Sequence, residues 1–90
     1  MGAAVIGKLR AALEAALHPS ELEIIDDSAR HVGHAGAQGG GHYQVSLTAA
    51  AFRGVSPLER HRLVYAAVAP LLSGEVHALN IRARAPGEAP

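Results

Sequence analysis

Six histidines lie in this chain of 90 residues, alongside no cysteine and only three aromatic side chains of the Phe, Tyr and Trp type. His31 and His34 fall in a glycine-rich stretch, Ser28-Ala-Arg-His-Val-Gly-His-Ala-Gly36, and His77 opens a run of strand character, Val76-His-Ala-Leu79. Imidazole is the commonest metal-ligating side chain and the one that titrates near neutral pH. Two loop histidines and a distant strand histidine therefore make a metal-site candidate. The set is incomplete by itself, because it has neither carboxylate nor thiolate help. Without cysteine the chain forms no disulfide and offers no thiolate, so any iron–sulfur or zinc–thiolate chemistry needs thiols from elsewhere. The other histidines read as structural: His18 at a helix C-terminus, where a cation is mildly favoured, His42 on the wet face of a strand, and His61 at the edge of the core.

Other chemistries are poorly supported. No serine stands in a G-x-S-x-G context, and Asp26 and Asp27, adjacent on a strand, face opposite ways and do not form one acid–base pair. Gly36-Ala-Gln-Gly39 matches a GxxG nucleic-acid clamp only formally, since it joins strands rather than helices. No phosphate-binding GxxxxGK[ST] or GxGxxG precedes a helix. Eight basic residues balance eight acidic ones. That argues against a dedicated nucleic-acid binder, whose affinity rests on phosphate neutralisation, and it predicts poor solubility unless a partner covers part of the surface. Arg60-His61-Arg62 sits in the first turns of a helix, where the dipole disfavours cations. The arginines there either meet an anion or pair with Glu59, Asp26 or Asp27.

The elements that must position these residues follow from periodicity. Residues 3–17 are Ala- and Leu-rich with apolar positions at helical spacing, ended by His18-Pro19. Residues 22–27 read as a strand. A loop over 28–41 follows, in which five of fourteen residues are glycine; its length makes it a candidate functional loop. Tyr43, Val45 and Leu47 alternate with polar neighbours in a second strand over 42–48, antiparallel to the first and with one face buried. Phe52 anchors the connection. Ser56-Pro57-Leu58-Glu59 starts a helix with a capping box and proline at its first position. It runs to about Leu72, buries Val64, Tyr65, Val68, Leu71 and Leu72, and has an altered last turn at Pro70, with Gly74 as its cap. Residues 76–84 make a third strand, with His77, Leu79, Ile81 and Ala83 on one face. One domain over residues 1–85 is expected, with 86–90 a loose tail. No apolar run is long enough to span a membrane and no signal peptide is read, so the cytoplasm is the default location.

These segments resemble the BolA family. The resemblance rests on Asp27-Ser28-x-x-His31 before the glycine loop, His42-Tyr43-x-Val45, Phe52-x-Gly54, the run Ser56-Pro57-Leu58-x-Arg60-His61-Arg62-Leu63-Val64-Tyr65, and Val76-His77-Ala78-Leu79-x-Ile81, in order over residues 6–84. It implies an α+β fold related to class II KH domains, in the order α-β-β-α-β, with helices on one face of a three-stranded mixed sheet. It also implies a non-enzymatic partner of monothiol glutaredoxins. In such complexes a [2Fe–2S] cluster is shared: the glutaredoxin and glutathione each supply a thiolate, and the BolA-like chain supplies the rest. By this resemblance His77 is one ligand and His31 the second, with His34 near enough to replace it. An apo homodimer is also open to the chain. The family has been described, too, as DNA-binding transcriptional regulators; here Arg53, Arg60, Arg62, Arg82 and Arg84 would supply phosphate contacts.

Overall fold

The computed structural model of the chain describes residues 2–27, 41–72 and 74–88. Its elements are α1 (Gly2–Leu17), β1 (Glu21–Asp26), β2 (Gly41–Thr48), α2 (Pro57–Val68) and β3 (Val76–Arg84), with short 3₁₀ turns at Ala50–Phe52 and Ala69–Leu71. The expected α+β order holds. The sheet order is β1-β2-β3. β1 runs antiparallel to β2, and β3 runs parallel to it. A parallel pair needs a crossover connection, and α2 is that crossover.

Leu9, Leu13 and Leu17 recur every four residues on α1 and are buried, as are Val64 and Val68 on α2. They close over Tyr43, Val45 and Leu47 of β2 and Ile81 of β3, with the fully buried Phe52 in the same cluster. Both helices thus lie on one face of the sheet. The opposite face carries Glu23, Ile25, Gln44, Ser46, Asn80 and Arg82, none of them buried. α1 ends where His18 adopts a left-handed φ of 48°, a conformation common just past helix ends, and its N–H donates to the Glu14 carbonyl at 3.1 Å.

At the start of α2 the Ser56 hydroxyl accepts the Glu59 N–H at 3.2 Å. The Glu59 carboxylate takes a hydrogen bond from Arg62 at 2.6 Å. Pro70 tightens the end of the helix into the 3₁₀ turn Ala69–Leu71, the altered last turn that proline demands. Gly74 does not take the left-handed capping conformation; among the described glycines only Gly54 and Gly87 have positive φ.

Two side-chain expectations are corrected. Tyr65 is not core: the residue is 39 % exposed, and its hydroxyl donates to the Leu79 carbonyl of β3 at 3.2 Å. His61 is exposed rather than at the core edge. Residues 86–88 are not a loose tail either. They turn at Gly87 and bring Glu88 back onto Arg60, with a bidentate pair at 2.6 and 2.9 Å.

Candidate metal centre

Strict alternation along β3 would put His77 on the face of Leu79 and Ile81 and turn Val76 away from it. The structure does the reverse at the start of the strand. Gly41 pairs with Val76, but His42 pairs with Ala78, so the register shifts between Gly41 and His42. Such an irregularity re-aims a side chain. Val76 goes into the core at 1 % exposure, and His77 is left exposed.

The same shift brings two imidazoles together. The rings of His42 and His77 have centroids 5.2 Å apart and planes tilted by 53°. Sequence alone marks His42 as merely structural. Alternation placed it on the wet face, but only the β2–β3 register shows that it neighbours His77. A transition-metal atom bound by imidazole sits about 2 Å from nitrogen, so rings this close can reach one atom between them.

The glycine loop departs and returns at this end of the sheet. The Asp27 N–H donates to the His42 carbonyl at 2.7 Å, and the Gly41 N–H donates to the Glu75 carbonyl at 3.3 Å. Asp27 Oδ2 accepts from Gln44 Nε2 at 3.3 Å. Both ends of the loop therefore flank the imidazole pair. His31 and His34 themselves lie outside the described residues. Among the described residues no group of three His, Cys, Asp or Glu side chains could hold a metal ion. The donor set is two imidazole side chains, which fits part of a metal coordination sphere and leaves the remainder to the loop or to another chain.

The arginines proposed as phosphate contacts are not gathered into one patch. Arg60 is mostly enclosed, its side chain only 11 % exposed. Its guanidinium lies 5.9 Å from the Phe52 ring centroid. Its Nε donates to the Val55 carbonyl at 2.7 Å, and its Nη1 to the Ala83 carbonyl at 3.3 Å. The hydrogen bonds it donates to Glu88 raise its already high pKa further. In return the Arg60 hydrogen bond, followed by that of the Ala85 N–H, holds the Glu88 carboxyl down at about 2. Arg60 is thus a clasp between α2, β3 and the C-terminal turn, not a free cation. Arg62 pairs with Glu59 at 2.6 Å. Arg84 donates to Ser46 Oγ at 3.3 Å on the open face of the sheet. Arg82 is exposed on that same face, away from α2, and Arg53 is exposed beyond the 3₁₀ turn after β2.

No helix among the described residues is long and apolar enough to cross a membrane. The profile of the BolA-like protein family matches residues 13–88. The chain is 44 % identical over 91 residues to BolA-like protein 1 of Bos taurus, covering 97 % of this chain and 66 % of that protein. It is 42 % identical over 69 residues to the DNA-binding transcriptional regulator BolA of Escherichia coli (strain K12), covering 77 % of this chain and 64 % of that one. This chain accordingly spans about two thirds of the length of these relatives. The solved BolA domain of SufE1 from Arabidopsis thaliana superposes with a TM-score of 0.80 at 38 % identity, over 92 % of this chain and 93 % of that one. The family match over residues 13–88, the 44 % identity to BolA-like protein 1 and the shared α-β-β-α-β frame together show that the chain belongs to the BolA-like family.

Proposed function

We propose that this protein is a non-enzymatic adaptor that docks on a monothiol glutaredoxin and lends imidazole ligands to a shared [2Fe–2S] cluster, serving iron–sulfur trafficking or assembly, or iron sensing. The observation that carries the reading is the pairing of exposed His77 with half-buried His42, 5.2 Å between centroids, where the histidine-bearing loop leaves and rejoins the sheet. His77 is the first ligand. The second is His31 by family resemblance, with His34 as its neighbour in the loop and His42 already held beside His77 by the fold. A chain with no cysteine leaves both thiolates to the glutaredoxin and glutathione. Bound there, the cluster would supply one-electron redox chemistry, at a potential that imidazole ligation raises. The contribution of this chain is to hold its imidazoles at an open sheet end that a second protein can reach.

The test is anaerobic mixing with a cluster-loaded monothiol glutaredoxin, followed by visible circular dichroism and size exclusion. A changed cluster spectrum in a heterodimer peak is expected. His77→Ala should abolish that change, with stability altered by no more than about 0.5 kcal/mol as for other exposed positions. His31→Ala, His34→Ala and His42→Ala, made separately, identify the second ligand. An unaltered glutaredoxin spectrum without co-elution, or a wild-type spectrum from His77→Ala, would sink the proposal.

The DNA-binding reading has one support, the regulator among its relatives. It predicts duplex binding by the isolated chain whose affinity falls steeply with salt. Arg60 is committed to Glu88, and the remaining arginines are split between α2, the turn after β2 and the far face of the sheet, which makes this the weaker reading.

A further inference from the structure

The sheet face that no helix covers is divided by charge. Register places Glu23 opposite Ser46 and Ser46 opposite Arg82, so the three form one row across the strands. One step along, Glu21, Thr48 and Arg84 form the next row, and Ile25, Gln44 and Asn80 form the row on the other side. The β1 column is thus acidic at two positions and the β3 column basic at two, separated by small and polar side chains of β2. Adjacent strands are about 4.8 Å apart, so the backbones of Glu23 and Arg82 are about 10 Å apart, and the two side chains do not pair with each other. Among the described residues neither has any ion-pair or hydrogen-bond partner for its side chain. Between them lies a trough of about 250 Å³ bordered by Ile25, Gln44, Ser46 and Asn80. Ile25 is 45 % exposed there.

We infer that this open face binds a second copy of the chain. Charge complementarity selects the occupant and its orientation. Sheets stack face to face about 10 Å apart with their strands roughly aligned. A two-fold axis between the sheets and parallel to the strands lays β2 on its partner strand and carries β1 of each copy over β3 of the other. Glu23 then meets Arg82 of the partner subunit, and Arg82 meets the partner's Glu23, as an isologous interface requires. The other in-plane two-fold, perpendicular to the strands, would set Glu23 against the partner's Glu23 and is repelled. Ser46, small and central, lets the two sheets approach. A formal net charge of zero leaves no long-range repulsion against self-association. A face of three short strands is small beside the 1,200–2,000 Å² or so that a stable complex buries, so the dimer is weak and sensitive to salt.

Sedimentation velocity on the full chain tests this, at low and high salt. The wild type should self-associate weakly at low salt and dissociate at high salt. Glu23→Arg alone sets cations against Arg82 of its partner, and Arg82→Glu alone sets anions against Glu23. Each should weaken self-association about tenfold or more, since like charges juxtaposed across an interface are strongly unfavourable. Mixing the two variants restores both contacts in a heterodimer, which should bind at least about tenfold more tightly than either variant binds itself. Both positions are exposed, and far-UV circular dichroism confirms the fold of each variant. A monomeric wild type at every concentration, self-association indifferent to the charge reversals, or a mixture no more associated than its components would each overturn the inference. None of these outcomes depends on a metal cluster or a glutaredoxin.

Discussion

Replacing Phe52 by alanine should cost the domain at least about a quarter of its stability. Phe52 is the only phenylalanine of the chain and is fully buried. It sits in the 3₁₀ turn between β2 and α2, where its ring meets the Arg60 guanidinium. The ring therefore fills the place where the crossover helix leaves the sheet. Phe→Ala in a packed core costs about 3–5 kcal/mol, the lost transfer energy plus a residual cavity. At about 0.05–0.15 kcal/mol per residue, 90 residues hold a total of roughly 5–13 kcal/mol. The substitution thus removes between a quarter and all of the stability. Phe52→Leu keeps most of the volume and should cost less than about 1.5 kcal/mol. Urea denaturation followed by far-UV circular dichroism reads both, and an unchanged slope would show that the denatured state is not altered. A loss below about 1.5 kcal/mol for Phe52→Ala, or equal losses for alanine and leucine, would refute the view that this one ring is the plug of a small core.

Two glycines should respond in opposite directions, although an added Cβ meets nothing within 4 Å at either. Gly7 lies inside α1, so Gly7→Ala should stabilise by about 0.5–1 kcal/mol in thermal or urea melts. Gly54 has φ of +71°, so Gly54→Ala should destabilise by about 1–2 kcal/mol from backbone strain alone; equal effects at the two sites would contradict the conformational argument. The Glu88 clasp makes an acid-limb prediction. Its carboxyl lies at about 2 when folded against an ordinary 4.5, so the folded state binds fewer protons than the unfolded state between those values. The stability it contributes is present above about pH 4.5 and is lost as pH falls toward 2. Glu88→Gln should lower stability at neutral pH and flatten that limb of a pH–melting profile. An unchanged limb would mean that Glu88 does not hold Arg60 in solution.

The elements of this protein were legible in its sequence because each is set by local physics. Helical spacing on α1, strict alternation at Tyr43, Val45 and Leu47, the Ser56-Pro57 start of α2 and the disruption at Pro70 all depend on neighbours within a turn or two. The role of Phe52 as core anchor was legible for a related reason, since no other residue of its kind exists to compete. The segments that mark the family were readable in the same way, as runs of residues in order. What tertiary structure alone decided is which distant residues meet. A single register shift between Gly41 and His42 reverses the facing of Val76 and His77 and sets His42 beside His77; period-two reasoning contains no term for such a shift. Tyr65 lies among apolar residues on α2, yet its hydroxyl is satisfied by the β3 edge, so the ring stays near the surface. Arg60 and Glu88 are 28 positions apart, and only the return of the chain past α2 turns an apparent phosphate contact into an internal clasp. Local sequence determines secondary structure here because helix and strand periods are short-range properties. Pairing across strands and helices depends on register and packing, and those are fixed only when the whole chain closes on one core.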